Sequence, residues 1–379
     1  GTGHAVIQAL PQLQRVDQIL ILYGDVPLIS GPTLGSLLSC LHDTDLALLT
    51  VDLADPTGYG RIVRDRNDRI SRIVEQKDAS SRELEISEIN TGIMAVNRGK
   101  LESWLSRIDN NNAQNEYYLT DIIALAVEDG VNIQAVHPHN EEEVMGVNDR
   151  KQLAYLERFY HKNRADELMQ SGVTLADPNR IDLRGELKTG RDVFIDCNAI
   201  FEGCVELADE VSIGPNVLLK NCVIGAQTQI LANSVLEDCE IGSECRIGPF
   251  ARVRPQSQLA NQVHIGNFVE IKKSQVADGS KINHLSYIGD SEIGSQVNIG
   301  AGTITCNYDG ANKFRTVIGD RAFIGSDSQL VAPVTIGEGA TIGAGSTITK
   351  SAPAEQLTLS RTKQFSIDNW ARPVKKAKD

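Results

Sequence analysis

His284 is the side chain in this sequence whose type and setting offer acid–base chemistry most directly. It stands in Asn283-His284-Leu285-Ser286-Tyr287-Ile288-Gly289, where Ile282 and Ile288 hold inward positions six apart, so its imidazole is expected to face outward. Imidazole changes charge near neutral pH and can take a proton from an attacking amine; an outward histidine with no task fits the local pattern as well. Arg252, Arg254, Lys272 and Lys273 gather positive charge nearby. Arg254 and Lys272 are eighteen apart, three six-residue steps, which stacks them on one face as a phosphate pocket; scattered solvated charge is the competing reading. Glu270 either orients His284 or offsets the two lysines.

A second centre lies far upstream. Asp25 closes Tyr23-Gly24-Asp25 just after an apolar run, the end of a strand at which open α/β sheets place ligands. With no basic neighbour in sequence, its carboxylate suits a Mg²⁺ ion serving a phosphate substrate, or it opens an ordinary turn before Pro27. Asp55-Pro56-Thr57-Gly58-Tyr59-Gly60 either lets backbone approach a sugar or is simply a tight turn. Asn90 and Asn148 say nothing by themselves.

The elements that must position these residues fall into two regimes. Ile19-Leu20-Ile21-Leu22-Tyr23 reads as a strand buried on both faces of a mostly parallel sheet, Leu34, Leu37, Leu38 and Leu41 as a helix, and Leu46 to Val51 as a second strand. That alternation is the α/β pattern and fills residues 1–150. Leu153, Leu156, Tyr160 and Leu168, set among charged residues, predict a connecting helix over 151–171 that Ser171-Gly172 ends. From 172 to 379 the period is six: Ile195, Phe201, Leu207, Ile213, Leu219; Ile241, Ile247, Val253, Leu259, Ile265, Ile271; Ile318, Ile324, Leu330, Ile336, Ile342, Ile348. Hexads of this kind make a left-handed parallel β-helix, three per coil, with the glycine that often follows the aliphatic residue (Ile213-Gly214, Ile324-Gly325) allowing a tight corner. The spacing predicts on the order of nine coils at about 4.8 Å each. Residues 306–316 break the hexads and predict a loop projecting from one face. The chain ends in a basic tail, Arg372-Pro373-Val374-Lys375-Lys376.

Composition excludes several classes. A formal net charge of -13 argues against nucleic acid or an anionic membrane as partner, since each needs an extended basic patch. No apolar run reaches the length of a membrane span. Seven cysteines without a C-x-x-C pair, several of them inside the repeats as small hydrophobes, suit a reducing, cytoplasmic setting.

Longer motifs connect the two centres. Tyr23-Gly24-Asp25-Val26-Pro27-Leu28, Pro56 to Ile62, Glu88 to Gly92, and Asn110 to Gln114 followed by Glu116-Tyr117-Tyr118 resemble the sugar-nucleotide half of the bacterial bifunctional N-acetylglucosamine-1-phosphate uridyltransferase / glucosamine-1-phosphate N-acetyltransferase family. Gly266 to Lys273, and above all Asn298 to Lys313, resemble its acetyltransferase half. The resemblance implies a Rossmann-like α/β nucleotidyltransferase domain followed by the left-handed β-helix, making UDP-N-acetylglucosamine for peptidoglycan and lipopolysaccharide synthesis. It implies that His284 deprotonates the amine of glucosamine 1-phosphate as this attacks acetyl-CoA, that Arg254, Lys272, Tyr287 and Asn298 bind the sugar phosphate, and that Ala301, Asn307, Tyr308, Ser326, Ala344 and Arg361 hold acetyl-CoA, partly across a homotrimer. It further implies that Asp25 and Asn148 ligate Mg²⁺ and that they, with Gly1, Thr2, Tyr23, Gly24, Gly60, Glu75 and Asn90, contact UTP or UDP-N-acetylglucosamine.

Family members open with a strand and a glycine-rich, Arg- and Lys-containing loop that cradles the UTP phosphates, and nothing of that kind precedes Gly1. The nucleotidyltransferase domain is therefore expected to be N-terminally incomplete, with little or no uridyltransferase activity. Two other readings compete with the two-step enzyme. A zinc-dependent hydratase of the same fold needs three histidines, and only His264 and His284 lie in the repeats. A non-catalytic β-helix trimer acting as a scaffold would release no CoA.

Overall fold

The computed structural model describes residues 1–111 and 115–375; Asn112, Ala113, Gln114 and Lys376, which the sequence motifs include, lie outside them. The chain forms two compact units, Gly1–Tyr160 and His161–Asp379. No helix among the described residues is long and apolar enough to cross a membrane.

The first unit is a six-stranded sheet with helices on both faces. Its strands are β1 (Gln18–Ile21), β2 (Leu46–Asp52), β3 (Arg61–Arg64), β4 (Ile70–Val74), β5 (Glu88–Asn97) and β6 (Gln134–Val136). Alternation sorts the long strands' side chains. Leu46, Leu48, Met94 and Val96 pack with Leu101, Trp104 and Leu105 of one helix (Arg98–Leu105) and Ile122, Ile123 and Ala126 of the next (Asp121–Glu128). Ala47, Leu49, Ile93 and Ala95 meet Leu37 of the helix Gly31–Ser39 on the other side.

The expectation of a mostly parallel sheet is corrected. β5 runs antiparallel to β1, β2 and β3, β3 is antiparallel to β4, and the β2–β6 pair is parallel. An apolar run announces a buried strand but carries no direction, and the central β5 reverses here. The first strand also stops at Ile21, leaving Leu22 45% exposed and Tyr23 free to turn toward the ligand cleft.

In the second unit the hexad residues point inward as expected: Ile213, Leu219, Ile247, Val253, Ile265, Ile271, Ile324, Leu330, Ile336 and Ile342 are all completely buried. They form one continuous core from Ala165 to Ala352. Most coils repeat every 17 or 18 residues, as in Ile213↔Ile230 and Ile247↔Ile265; Ile299↔Ile324 spans the predicted loop, and the end coils depart, with Leu175↔Ile195 twenty apart and Ile342↔Thr358 sixteen. Eleven strands stack on one face, more than the nine coils expected, because the repeats begin at Thr174 and run to Thr358. The helix ahead of them, Arg150–Gln170, ends as predicted: Gly172 takes φ +102, with Val173 N–H on the Leu168 carbonyl and Gly172 N–H on that of Met169.

The corner mechanism differs from the expectation. The left-handed residue at most turns is not the glycine after the aliphatic position but a residue two or three further on, such as Asn216, Gln227, Glu244 and Phe268. The glycine serves the stacking direction instead: a Cβ on Gly225 would lie 2.5 Å from the Gly242 carbonyl carbon and 2.6 Å from Ser243 N. Coils about 4.8 Å apart leave no room for it. A Gly225→Ala substitution, far from His284 in sequence, is expected to cost about 3 kcal/mol by forcing two coils apart, read as a lowered denaturant midpoint; an unchanged midpoint would show that the coils separate freely.

Candidate active sites

The β-helix brings the predicted acetyl-transfer residues to one edge and one adjoining face. Asn267 pairs with His284 in register, Gly302 N–H bonds the His284 carbonyl, Asp327 N–H that of Ala301, and Gly345 N–H that of Ser326. His284, Ala301, Ser326 and Ala344 therefore occupy equivalent positions on four successive coils, a single column along one edge. Arg361 ends this column, its guanidinium donating to the Ala344 carbonyl at 2.9 Å. His284 is exposed, and its Nδ1 lies 3.0 Å from Asn267 Oδ1.

The adjoining face carries the cations. Strands Arg252–Val253, Glu270–Lys272 and Tyr287–Gly289 lie side by side, placing Lys272 next to Gly289. Arg254 donates to Glu270 at 2.8 Å, so Glu270 is this arginine's partner rather than an orienter of His284. Arg252 pairs with Glu237 at 3.3 Å. Lys272 Nζ sits 3.3 Å from Asp290 Oδ2, and Asp290 also accepts from Asn307 Nδ2. The Tyr287 hydroxyl and Asn307 amide converge over Gly289, where a Cβ would lie 2.5 Å and 2.7 Å from them. The inserted loop closes on itself, with Tyr308 bridging Lys313 and Phe314 N–H on the Asn307 carbonyl, and so delivers Lys313 beside Lys272. Contact with the Lys313 amine, ahead of the Asp290 charge, raises the Lys272 pKa, and Lys272 in turn pushes that of Lys313 down. Asn298 belongs to a different face, between Lys281 and Phe323, and this chain alone does not bring it to Arg254 and Lys272.

In the first unit a cleft of about 570 Å³ is lined by Thr2, Tyr23, Asp25, Gly60, Glu75, Asn90 and Asn148 from the sequence-predicted set. Gly24 joins Tyr23 to Asp25 without lining it. Gly1 packs against Tyr117 and Glu116 instead. The Tyr23 ring packs against Gly92, whose missing Cβ makes room for it and whose φ of +83 suits glycine. Burial first, then Glu75 and Asp25, raises the Tyr23 hydroxyl pKa, so it stays a neutral donor. Arg61, 2% exposed, donates to the Tyr59 carbonyl and to Gln76 Oε1, and Gln76 accepts Gly58 N–H at 2.7 Å, fixing the turn that walls the cleft. Asp25 and Asn148 face the same cleft, hard oxygen donors of the kind Mg²⁺ takes one or two of when phosphates complete its shell. No group of three or more His, Cys, Asp or Glu among the described residues forms an all-protein metal cage.

Residues 315–350 match a family model described as bacterial transferase hexapeptide (six repeats), and residues 184–276 one described as the GMPPB C-terminal domain. The bifunctional protein GlmU of Aromatoleum aromaticum is 59% identical over 376 residues, covering 99% of this chain and 83% of that protein. The same protein of Dechloromonas aromatica is 61% identical over 375 residues, with 99% and 83% covered, and that of Methylococcus capsulatus 58% over 380 residues, with 100% and 82%. The chain belongs to the GlmU family. It is a bifunctional N-acetyltransferase and uridyltransferase of UDP-N-acetylglucosamine biosynthesis, with the acetyltransferase in the β-helix.

Against that GlmU frame, three polar residues of the β-helix site escaped the sequence reading. Asp290 was within reach, since it follows Lys272 by eighteen as Lys272 follows Arg254. The true coil there is 17 residues, because Ile271 to Val276 is a five-residue step turned by Lys273 at φ +46. Asn267 lay inside a quoted motif without a role, and Lys313 gains its place only from the fold of the loop.

Proposed function

We propose that in this GlmU-family chain residues 172–379 transfer the acetyl group of acetyl-CoA to the amine of glucosamine 1-phosphate, and that residues 1–150 form the sugar-nucleotide side of the site at which uridylyl passes from UTP to N-acetylglucosamine 1-phosphate, with the helix over 151–171 joining them. The observation that carries the acetyl-transfer reading is the single column of His284, Ala301, Ser326 and Ala344 beside the face of Arg254, Lys272 and Tyr287. A long thioester cofactor needs a groove along several coils, a phosphorylated sugar needs a cationic pocket, and the base must stand where the two meet. His284 takes the amine proton while the nitrogen lone pair attacks the thioester carbonyl; the C–S bond breaks and the CoA thiolate leaves with a proton. Arg254, Lys272 and Tyr287 anchor the sugar phosphate. Asn307 and Tyr308 from the loop and Arg361 at the end of the column hold acetyl-CoA.

In the first unit, Asp25 and Asn148 would hold Mg²⁺, which supplies charge neutralisation on the reacting phosphates when bound. Thr2, Tyr23, Gly60, Glu75 and Asn90 line the cleft for the sugar nucleotide, with Gly1 and Gly24 supporting it.

Two features support a homotrimer. Asn298 faces away from the cations it would complete, as expected of a site finished by another prism. Phe250, Phe268 and Leu285 form an exposed apolar ladder beside the His284 column, with Phe250 and Phe268 stacked at 5.3 Å. Seven free thiols suit the cytoplasm.

Mixing the chain with acetyl-CoA and glucosamine 1-phosphate is expected to release free CoA thiol only when both are present, from a particle with three times the 41.2 kDa chain mass in sedimentation. Thiol release without the sugar phosphate, or none at all, would leave the scaffold reading standing.

A further inference from the structure

We infer that Asn267 is a positioning residue for acetyl transfer, holding the His284 imidazole in the one tautomer and orientation that presents Nε2 to the amine. The inference rests on the reading of His284 as the base.

Asn267 and His284 are register partners on adjacent coils, and Asn267 Oδ1 lies 3.0 Å from His284 Nδ1. An amide oxygen has no hydrogen to donate, so this contact is a hydrogen bond only when Nδ1 carries the proton. A neutral imidazole with Nδ1–H has its lone pair on Nε2, the state a general base requires. The same residue holds the ring's backbone: the Asn267 carbonyl accepts Leu285 N–H at 3.1 Å, directly after His284. The two coils approach so closely beside this pair that a Cβ on Gly266 would fall 1.9 Å from the Asn283 carbonyl oxygen, so only glycine fits there.

An exposed imidazole otherwise spends its time among several rotamers and both tautomers. The bond thus supplies what the surface position lacks. The partner's chemistry also matters. A carboxylate in the place of Asn267 would favour the imidazolium and so empty the basic form at neutral pH, whereas the neutral amide orients without holding the proton on Nε2. The other titratable groups around the ring are Lys281 on its own strand and His264 on the coil before, with Arg246 one coil further; the register partner on the coil after is Ala301.

The test compares Asn267→Ala, Asn267→Asp and His284→Ala in the full chain. Asn267→Ala is expected to lower kcat for acetyl transfer by about tenfold or more with KM for glucosamine 1-phosphate unchanged, a fraction of what a general base contributes. Asn267→Asp, nearly the same shape, is expected to restore a rate above that of Asn267→Ala at high pH and to move the acid limb of the kcat/KM profile up by about one pH unit. Nitrogen-15 spectra of the labelled histidines, with the His284 signal identified by its loss in His284→Ala, should show Nδ1–H in the parent and a tautomer mixture in Asn267→Ala. An Asn267→Ala enzyme with parental kcat, or an Asn267→Asp profile that does not move, overturns the positioning role while His284→Ala is inactive. Undiminished turnover in His284→Ala overturns the base itself, and the positioning role with it.

Discussion

Replacing His284 by alanine is expected to cut kcat for acetyl transfer by about 10²- to 10⁴-fold, leaving KM for glucosamine 1-phosphate close to its parental value. The two parameters separate because the phosphate is anchored elsewhere, by Arg254 and Lys272 on the adjoining face, while the imidazole acts only as the amine loses its proton. In the variant the residual rate should follow the substrate amine's own ionisation. Stability should hold within about 0.5 kcal/mol, because the side chain is exposed and sits outside the core. A variant turning over at the parental rate would remove the base from this reading.

The two candidate sites were unequally legible in the sequence, for a physical reason. A solenoid repeats one local rule, so spacing alone carries its fold: Ile213, Ile265 and Ile324 are inward because every sixth residue is. The same rule gave Arg254 above Lys272. What the rule cannot give is the residue whose meaning comes from a neighbouring coil. Asn267 has no role in the sequence until it lies against His284, and Glu270 reads as a partner for His284 until Arg254 takes it. The corner chemistry was misassigned for a related reason: glycines after the isoleucines look like turn residues in one dimension, and their function is to admit the next coil in the other.

In the first unit the apolar runs of Ile19 and Leu46 marked strands, but a run is the same read in either direction, and β5 reversed the sheet's sense. The cleft residues Asp25, Asn90 and Asn148 are more than fifty positions apart in sequence and met only through that sheet. Residue type and place marked Asp25, while Asn90 and Asn148 said nothing alone; family motifs, not periodicity, brought the three together.

The second large effect concerns Lys272. Its ammonium is 3.3 Å from Asp290 Oδ2, with the side chains only 16% and 12% exposed, and Asn307 donates to the same carboxylate. Lys272→Met should therefore do two things. It removes a charged hydrogen-bond donor from the sugar phosphate, a loss of about 1.5–3 kcal/mol or about 10- to 150-fold in KM. It also leaves Asp290 facing the incoming phosphate with its main counter-charge gone, which adds repulsion and should destabilise the fold by about 2–3 kcal/mol, below the range for a fully buried pair because water still reaches this one. The pairing of Lys272→Met with Asp290→Asn separates these terms. If the carboxylate is structural, the double variant recovers most of the lost stability, and if the lysine binds phosphate, KM stays high in spite of that recovery. A double variant that regains both would mean that Lys272 merely neutralises Asp290, and the phosphate would then have to rest on Arg254 and on Lys313, whose pKa its contact with Lys272 depresses and whose charge the variant would release for that purpose.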